Sequence, residues 1–287
     1  MSTYIQSIIL GIVQGLTELL PISSSAHLTL IPWMFNWNGL SDSFDVALHF
    51  GTLLAIGLFF FKDWIQLIKG GFNLAVKKEK SVEGKMFWYL VIATIPGALF
   101  GFLLDDFIEE KVTDKILATI PGGIIGFLLD HFLEDALKTP LIIASALIVM
   151  GIILYFADKK CKNEISYEKM GLKQTFLIGL SQALAFIPGV SRSGVTMTMG
   201  RLLKVDRESV AKYSFMLSAP IVLAATIFKF ASFTLNAEFF IGVLTSFLVG
   251  VAVIKFLMQY LKKGSFKGFA IYRVIAGLVV MLVYFLK

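Results

Sequence analysis

Three ionisable side chains, Glu18, His27 and Arg192, stand in stretches of sequence that are otherwise apolar. The first stretch, GLTELLPISSSAHLTLIPW over 15–33, adds three consecutive hydroxyls, Ser23, Ser24 and Ser25. The second, PGVSRSGVT over 188–196, sets the guanidinium between two more, Ser191 and Ser193. A guanidinium is a planar, permanently charged fork that matches phosphate. A hydroxyl, an imidazole and a carboxylate beside it supply the parts for nucleophilic or acid–base hydrolysis. At a lipid-facing helix centre each charge would cost roughly 2.5–3.5 kcal/mol. The three should therefore face one another or a cavity.

The spacing says how they are held. Gln14 and Glu18 are four apart and share one helical face. Gly11 and Gly15, one step round, permit close helix packing. Pro21 removes an N–H and ends the first arm, and the serines after it can cap a second arm. The same grammar recurs where Pro188 and Gly189 break the chain and Ser191 or Ser193 caps the next helix. A helix N-terminus attracts anions, so two of them and an arginine make an anion site. Each feature also has a structural reading. Serines after a proline are caps, a buried histidine can be packing, and Arg192 with Glu18 can be a plain ion pair. Asp45 and His49, four apart, read as a helix-start pair rather than as catalysts.

The elements that position these residues follow from composition. The 287-residue chain is 57% hydrophobic, with 27 Phe, only 16% charged residues and a mean hydropathy of +0.80. A soluble domain carries about 25% charged residues. Apolar runs of spanning length recur, and no period-two alternation supports a barrel. The expected fold is an all-α polytopic membrane protein. A single cysteine, Cys161, excludes an intramolecular disulfide framework. The N-terminal MSTYIQSII lacks a basic region, so the first apolar segment is expected to remain uncleaved.

Candidate spans are 44–61, 86–104, 141–157, 209–228, 238–258 and 269–286. Two broken pairs, 3–20 with 24–35 and 173–187 with 194–203, are too short per arm to be two full spans. They read as re-entrant hairpins, whose irregular backbone is tolerated at depth only inside protein or along a wet cavity. GIVQGLTELLPISSS (11–25) and GLSQALAFIPGVSRS (179–193) share the Gly, the Gln, a Leu, the Pro and the serines, with a one-residue shift at the Pro. A hairpin followed by three spans, twice, implies inverted repeats meeting at a central site. The chain is thus one membrane domain, 1–287, with repeats of about 1–157 and 173–287.

Charge orients it. With the N-terminus on one side, loops 62–85, 158–173, 201–212 and 255–273 all fall on the other and hold 20 of the 26 Lys and Arg. That side is the cytoplasm by the positive-inside rule, and the first hairpin enters from outside. The net charge of +6 is then a topology signal that calls for no nucleic acid. One segment stands outside the count. IATIPGALFGFLLDDFIEE (92–110) recurs as LATIPGGIIGFLLDHFLED (117–135), with 12 of 19 positions identical. The second copy has only 14 uncharged residues, Ile116 to Leu129, around Pro121-Gly122-Gly123. It is expected not to span, leaving six transmembrane helices, two hairpins and a duplicated non-spanning segment near 116–135.

On these residues the chain resembles the bacitracin-resistance family of membrane phosphatases, the undecaprenyl pyrophosphate phosphatases, over nearly its whole length. Gln14 and Glu18 match the family's Glu/Gln-x-x-x-Glu motif. Pro21, Ser23, Ser24 and His27 match its Pro-x-Ser-Ser-x-x-His element. Pro188, Gly189, Ser191, Arg192, Ser193 and Thr196 match its Pro-Gly-x-Ser-Arg-Ser-x-x-Thr motif. The resemblance implies removal of the terminal phosphate of the lipid carrier pyrophosphate outside the bacterial cytoplasmic membrane. The product is the carrier monophosphate for peptidoglycan synthesis, and the activity confers bacitracin resistance. It further implies a divalent cation, magnesium or calcium, with Glu18 as its candidate ligand. Catalysis would fall to Glu18, Ser24, His27 and Arg192, with the nucleophile open between Ser24, Ser25, His27 and water. Substrate binding would fall to Gln14, Ser23, Ser25, Gly189, Ser191, Ser193 and Thr196. Expected partners are the polyprenyl pyrophosphate, membrane lipids and, as one oligomeric option, a second copy in a homodimer. The family carries one copy of the 92–110 element, so the duplication is a departure. The competing reading is a lipid flippase or small-anion transporter of the same architecture.

Overall fold

A computed structural model describes residues 2–37, 42–108 and 139–287, without the side chains of residues 42 and 100–108. The repeated element at 117–135 lies outside the described residues. Helices are the regular structure among those residues, whose one β-type pairing is an isolated bridge between Ile165 and Val205.

Helices α1 (Thr3–Thr17) and α2 (Ser24–Phe35) form the first broken pair. α1 stops ahead of Pro21, and α2 starts on the cap Ser23, whose Oγ accepts from the Ala26 N–H. α3 (Asp42–Phe59) is followed after Phe60 by α4 (Phe61–Val76), bent 77° away from it. Then come α5 (Val82–Ile108) and α6 (Pro140–Lys160). The second broken pair is α7 (Leu172–Ser181), a 3-10 turn at Gln182–Phe186, and α8 (Arg192–Leu202). α9 (Arg207–Phe228), α10 (Ala237–Leu261) and α11 (Lys267–Leu286) complete the chain. Four described helices, α6, α9, α10 and α11, are long and apolar enough to cross a membrane, and the bent α3–α4 pair makes up to five. Their outer faces leave Leu244, Leu248, Phe256, Leu278 and Leu282 exposed, as lipid requires. The protein is a multi-pass, all-helical membrane protein.

The first arms of the two broken pairs pack alike. α1 lies along α10, and α7 lies along α5. In each, a glycine allows backbone contact: a Cβ on Gly15 would come within 2.9 Å of the Ser246 carbonyl oxygen, and one on Gly179 within 2.3 Å of that of Ala93. Without a hydrophobic drive between helices in lipid, such close packing supplies the dispersion contact that holds them. α2 wedges between two small apolar clusters. Leu28 meets Leu10, Phe44 and Leu48, while Ala26 and Leu30 meet Ile143, Leu147 and Val280.

Two expectations change here. Residues 62–85 are not all loop, since Phe61–Val76 is helical. Its lysines mask an amphipathic pattern in which Leu67 and Gly71 are buried while Ile68 and Phe72 stay outside. Gly71 seats against the Phe87 ring, and its carbonyl accepts from Trp88 Nε1–H at 3.2 Å. Arg273, counted above with the loop 255–273, instead lies inside α11 and is fully buried. Two more of these basic residues, Arg201 and Arg207, meet on one carboxylate. Asp158 gathers Arg201 Nε (2.9 Å), Arg207 Nε (2.7 Å) and the Phe266 N–H (2.9 Å), tying α6, α8, α9 and α11.

Candidate active site

The breaks of the two pairs have the same local geometry. Ser23 has φ 75° and ψ 93°, and Ser191 has φ 74° and ψ 120°. A non-glycine residue in such a region costs on the order of 1–3 kcal/mol, and its surroundings must hold it there. Each serine caps its helix: Ser23 Oγ accepts from Ala26 at 3.4 Å, and Ser191 Oγ from Gly194 at 3.0 Å. Each also lies 3.2 Å from the hydroxyl two residues on, Ser25 or Ser193. The caps are equivalent, so the residues just after them, Ser24 and Arg192, occupy equivalent slots.

Both slots converge on Glu18. The Ser24 hydroxyl donates to Glu18 Oε2 at 2.5 Å, and Arg192 donates from a terminal nitrogen to Glu18 Oε1. Gln14 Nε2–H donates to Oε2 at 3.2 Å. The fourth partner is His49, whose Nε2 lies 3.2 Å from the same oxygen. Its Nδ1 lies 2.7 Å from the Asp45 carbonyl oxygen one turn back. Both ring nitrogens thus face oxygen atoms, and the imidazole shares the carboxylate with Arg192 from the opposite oxygen. The guanidinium supplies a permanent positive charge, which suits an anionic ligand.

These groups line a cavity of about 270 Å³. Its polar wall is Glu18, Ser24, Ser25, His49, Ser191, Arg192 and Ser193, and its apolar wall is Val46, Ala185, Ile221, Val222 and Ala225. The carboxylate is 7% exposed, Arg192 19% and His49 28%, so the guanidinium and the imidazole are more open to the cavity than the carboxylate between them. Apart from Ala185 of the 3-10 turn, the apolar wall comes from the first two turns of α3 and the last two of α9. Those ends lie away from the Arg201–Asp158 knot.

Other sequence candidates lie behind this wall. Ser23 is buried as a cap. Thr196 Oγ1 bonds to the Arg192 and Ser193 carbonyls and to Ser214 Oγ (2.7 Å), which steadies the first turn of α8. Ser193 also donates to the Leu20 carbonyl at 3.0 Å, joining the two breaks. Gly189, at φ 92°, makes the turn that leads into Ser191. His27 is not brought to Glu18 and Arg192. Its Nδ1 lies 2.6 Å from the Ser23 carbonyl oxygen and its Nε2 2.7 Å from Tyr272 Oη. The structure thus sets His27 against the Ser23 carbonyl and Tyr272, and sets His49 beside the carboxylate. The signal for His49 was its distance of four from Asp45; what matters is the carbonyl of Asp45, which sequence does not display.

A divalent cation would find one carboxylate here. No cluster of three His, Cys, Asp or Glu stands among the described residues. Gln14 Oε1, however, is buried beside Glu18 without a hydrogen-bond donor. Magnesium is commonly held by one or two carboxylates with the substrate's phosphate oxygens, and Glu18 with Gln14 Oε1 fits that pattern.

Comparison with known proteins gives a consistent result. The family profile described as bacitracin resistance protein BacA matches residues 7–117 and 111–279, and its two stretches meet within the duplicated region. An undecaprenyl-diphosphatase of Pelotomaculum thermopropionicum is 46% identical over 97% of this chain and 96% of its own. Those of Caldicellulosiruptor bescii and Moorella thermoacetica are 44% and 41% identical, each over 99% of both chains.

Proposed function

The chain belongs to the bacitracin resistance protein BacA family, and on that premise we propose how it works as an undecaprenyl-diphosphatase. It hydrolyses undecaprenyl pyrophosphate to the monophosphate carrier and inorganic phosphate, returning the carrier to peptidoglycan synthesis. The observation that carries the mechanism is the Ser24 hydroxyl bonded at 2.5 Å to a carboxylate whose other oxygen holds Arg192.

The pyrophosphate enters between the two helix N-termini and competes with Glu18 for the Arg192 fork. Arg192 then binds the terminal phosphate oxygens bidentately. This frees Glu18 Oε1 and leaves Oε2 on the Ser24 proton. Ser24 Oγ attacks the terminal phosphorus as the bond to the bridging oxygen breaks. Glu18 takes the hydroxyl proton and returns it to the departing carrier phosphate. Water, deprotonated by Glu18, then attacks the phosphoserine; the bond from phosphorus to Ser24 Oγ breaks, Glu18 returns the proton to that oxygen, and inorganic phosphate leaves. Phosphoryl transfer passes through a loose transition state, so positioning and charge do most of the work. Arg192 supplies the charge, and Ser25, Ser191 and Ser193 the flanking donors. Magnesium or calcium would be held by Glu18, Gln14 Oε1 and the substrate, and would neutralise pyrophosphate charge.

The supporting topology has α3, α5, α6, α9, α10 and α11 as six spans in inverted repeat, with α1/α2 and α7/α8 as re-entrant hairpins. α4 then lies at the cytoplasmic surface. The equivalent caps and the parallel packing of α1 and α7 support it. The ends of α3 and α9 that line the cavity lie opposite the basic end, which supports an active site facing outside the inner membrane. A pure transporter is not favoured, because the relatives above are named as diphosphatases. The test is phosphate release from undecaprenyl pyrophosphate by the purified chain in detergent. Wild type should turn over, and Ser24→Ala should lose at least about two orders of magnitude, the scale of one catalytic group. Full activity of Ser24→Ala would pass the attack to water or Ser25.

A further inference from the structure

We infer that Arg273 is a positioning residue of the active site, a single guanidinium that locks both hairpin breaks into register. Its kinetic consequence rests on the phosphatase reading; its structural consequence does not.

Arg273 is fully buried in α11, and none of the ion pairs among the described residues includes it. All its bonds go to backbone carbonyls. One terminal nitrogen donates to Pro21 O at 3.1 Å, in the first break. The other donates to Gly189 O at 2.7 Å and Val190 O at 3.0 Å, in the second. Nε–H donates to Leu147 O on α6 at 3.3 Å. One planar fork thus reaches three separate segments.

The acceptors are those that matter. A broken helix at membrane depth leaves carbonyls that water cannot reach, and each needs a donor. Pro21 lies two residues before Ser23, and Gly189 two before Ser191, the two serines at positive φ. Arg273 therefore fixes the chain immediately ahead of both strained caps. Their next residues, Ser24 and Arg192, must meet on one carboxylate, and a small shift of either break would part them. The fold makes room for this contact. A Cβ on Gly194 would come within 2.7 Å of the guanidinium, and one on Gly151 within 3.0 Å of Arg273 Cβ. A lysine cannot substitute, because an ammonium has three donors around one point and cannot span carbonyls on both breaks. With no carboxylate beside it, the guanidinium also places a fixed positive charge behind the anion site.

The experiment uses the full chain in detergent, as wild type, Arg273→Lys and Gly194→Ala, with two readouts. Hydrogen–deuterium exchange is followed over 19–26 and 187–194. In Arg273→Lys both windows should exchange faster together, although they lie far apart in sequence. Exchange rising in one window only, or in neither, would overturn the shared lock. The second readout is phosphate release per folded molecule, well below the unfolding temperature. The inference expects kcat to fall at least tenfold with KM changed less than threefold. A residue that only stabilised the fold would lower yield and Tm and leave kcat per folded molecule intact, which would also overturn it. Should Arg273→Lys not fold, Gly194→Ala, whose Cβ would press on the guanidinium and, in the second break alone, on Ser191, must speed exchange in the first break as well. A wild type that releases no phosphate would refute the phosphatase reading and leave the exchange result to decide on Arg273.

Discussion

Glu18→Gln separates a catalytic carboxylate from a structural ion pair. The substitution keeps volume and shape and removes the charge. Glu18 accepts Arg192 on one oxygen and Ser24, Gln14 and His49 on the other. A glutamine can satisfy only one set. With its carbonyl toward Ser24, Gln14 and His49, its amide hydrogens point at Arg192. The guanidinium then keeps only Ser218 O, at 3.4 Å. Removing one partner of a buried pair costs about 3–5 kcal/mol. Arg192 is 19% exposed to the cavity, so water can take part of the load and about 1–3 kcal/mol is expected. For the reaction, losing the proton acceptor should cost about 10²–10⁴ in rate, or roughly 3–5 kcal/mol. Thermal unfolding and phosphate release per folded molecule, measured in Glu18→Gln, Arg192→Gln and the double variant, resolve the two. The double variant leaves no guanidinium unpaired, so it should regain stability over at least one single variant while activity stays lost. Phosphate release by Glu18→Gln within tenfold of wild type would refute the catalytic role. Stability losses that simply add would refute the coupled pair.

Three further outcomes follow from other contacts. His49→Asn should lower turnover by about tenfold or more, the low end for losing a positioned polar group near the phosphate, whereas His27→Asn should mainly lower Tm; steady-state kinetics beside unfolding curves check both. Gly179→Ala should destabilise by about 1–3 kcal/mol, because its Cβ would come within 2.3 Å of the Ala93 carbonyl oxygen; a Tm equal to wild type would contradict the close α5–α7 approach. In a Cys161→Ser background, a cysteine at Thr234 should react with an impermeant thiol reagent from outside and one at Lys80 only after permeabilisation; the reverse pattern would invert the topology.

Glu18, Ser24 and Arg192 were legible in the sequence because ionisable and hydroxyl residues in apolar surroundings must find partners. The repeated Pro and Ser grammar gave both breaks. His49 was not legible, since an imidazole four residues after an aspartate is the ordinary start of a helix. Its role comes from α3 running beside the turn after α1, a tertiary contact with no local trace. His27 looked catalytic because its type suits the reaction, yet a backbone carbonyl and Tyr272 claim its two nitrogens. Arg273 closes a basic run, and composition could not tell it from the topology charges before it. Helix α4 was hidden because its lysines read as a loop signal, while only two of its positions, Leu67 and Gly71, are buried.

The equivalent slots after the two caps carry one last consequence. Ser24 and Arg192 stand in matching places, so the site is two copies of one socket filled differently. The scaffold is even-handed, and in the mechanism proposed above the direction of the reaction is written in two side chains. There one socket offers an electron pair to phosphorus and the other draws charge from its oxygens. Exchanging them, as Ser24→Arg with Arg192→Ser, would keep every cap and both backbones and reverse which hairpin attacks.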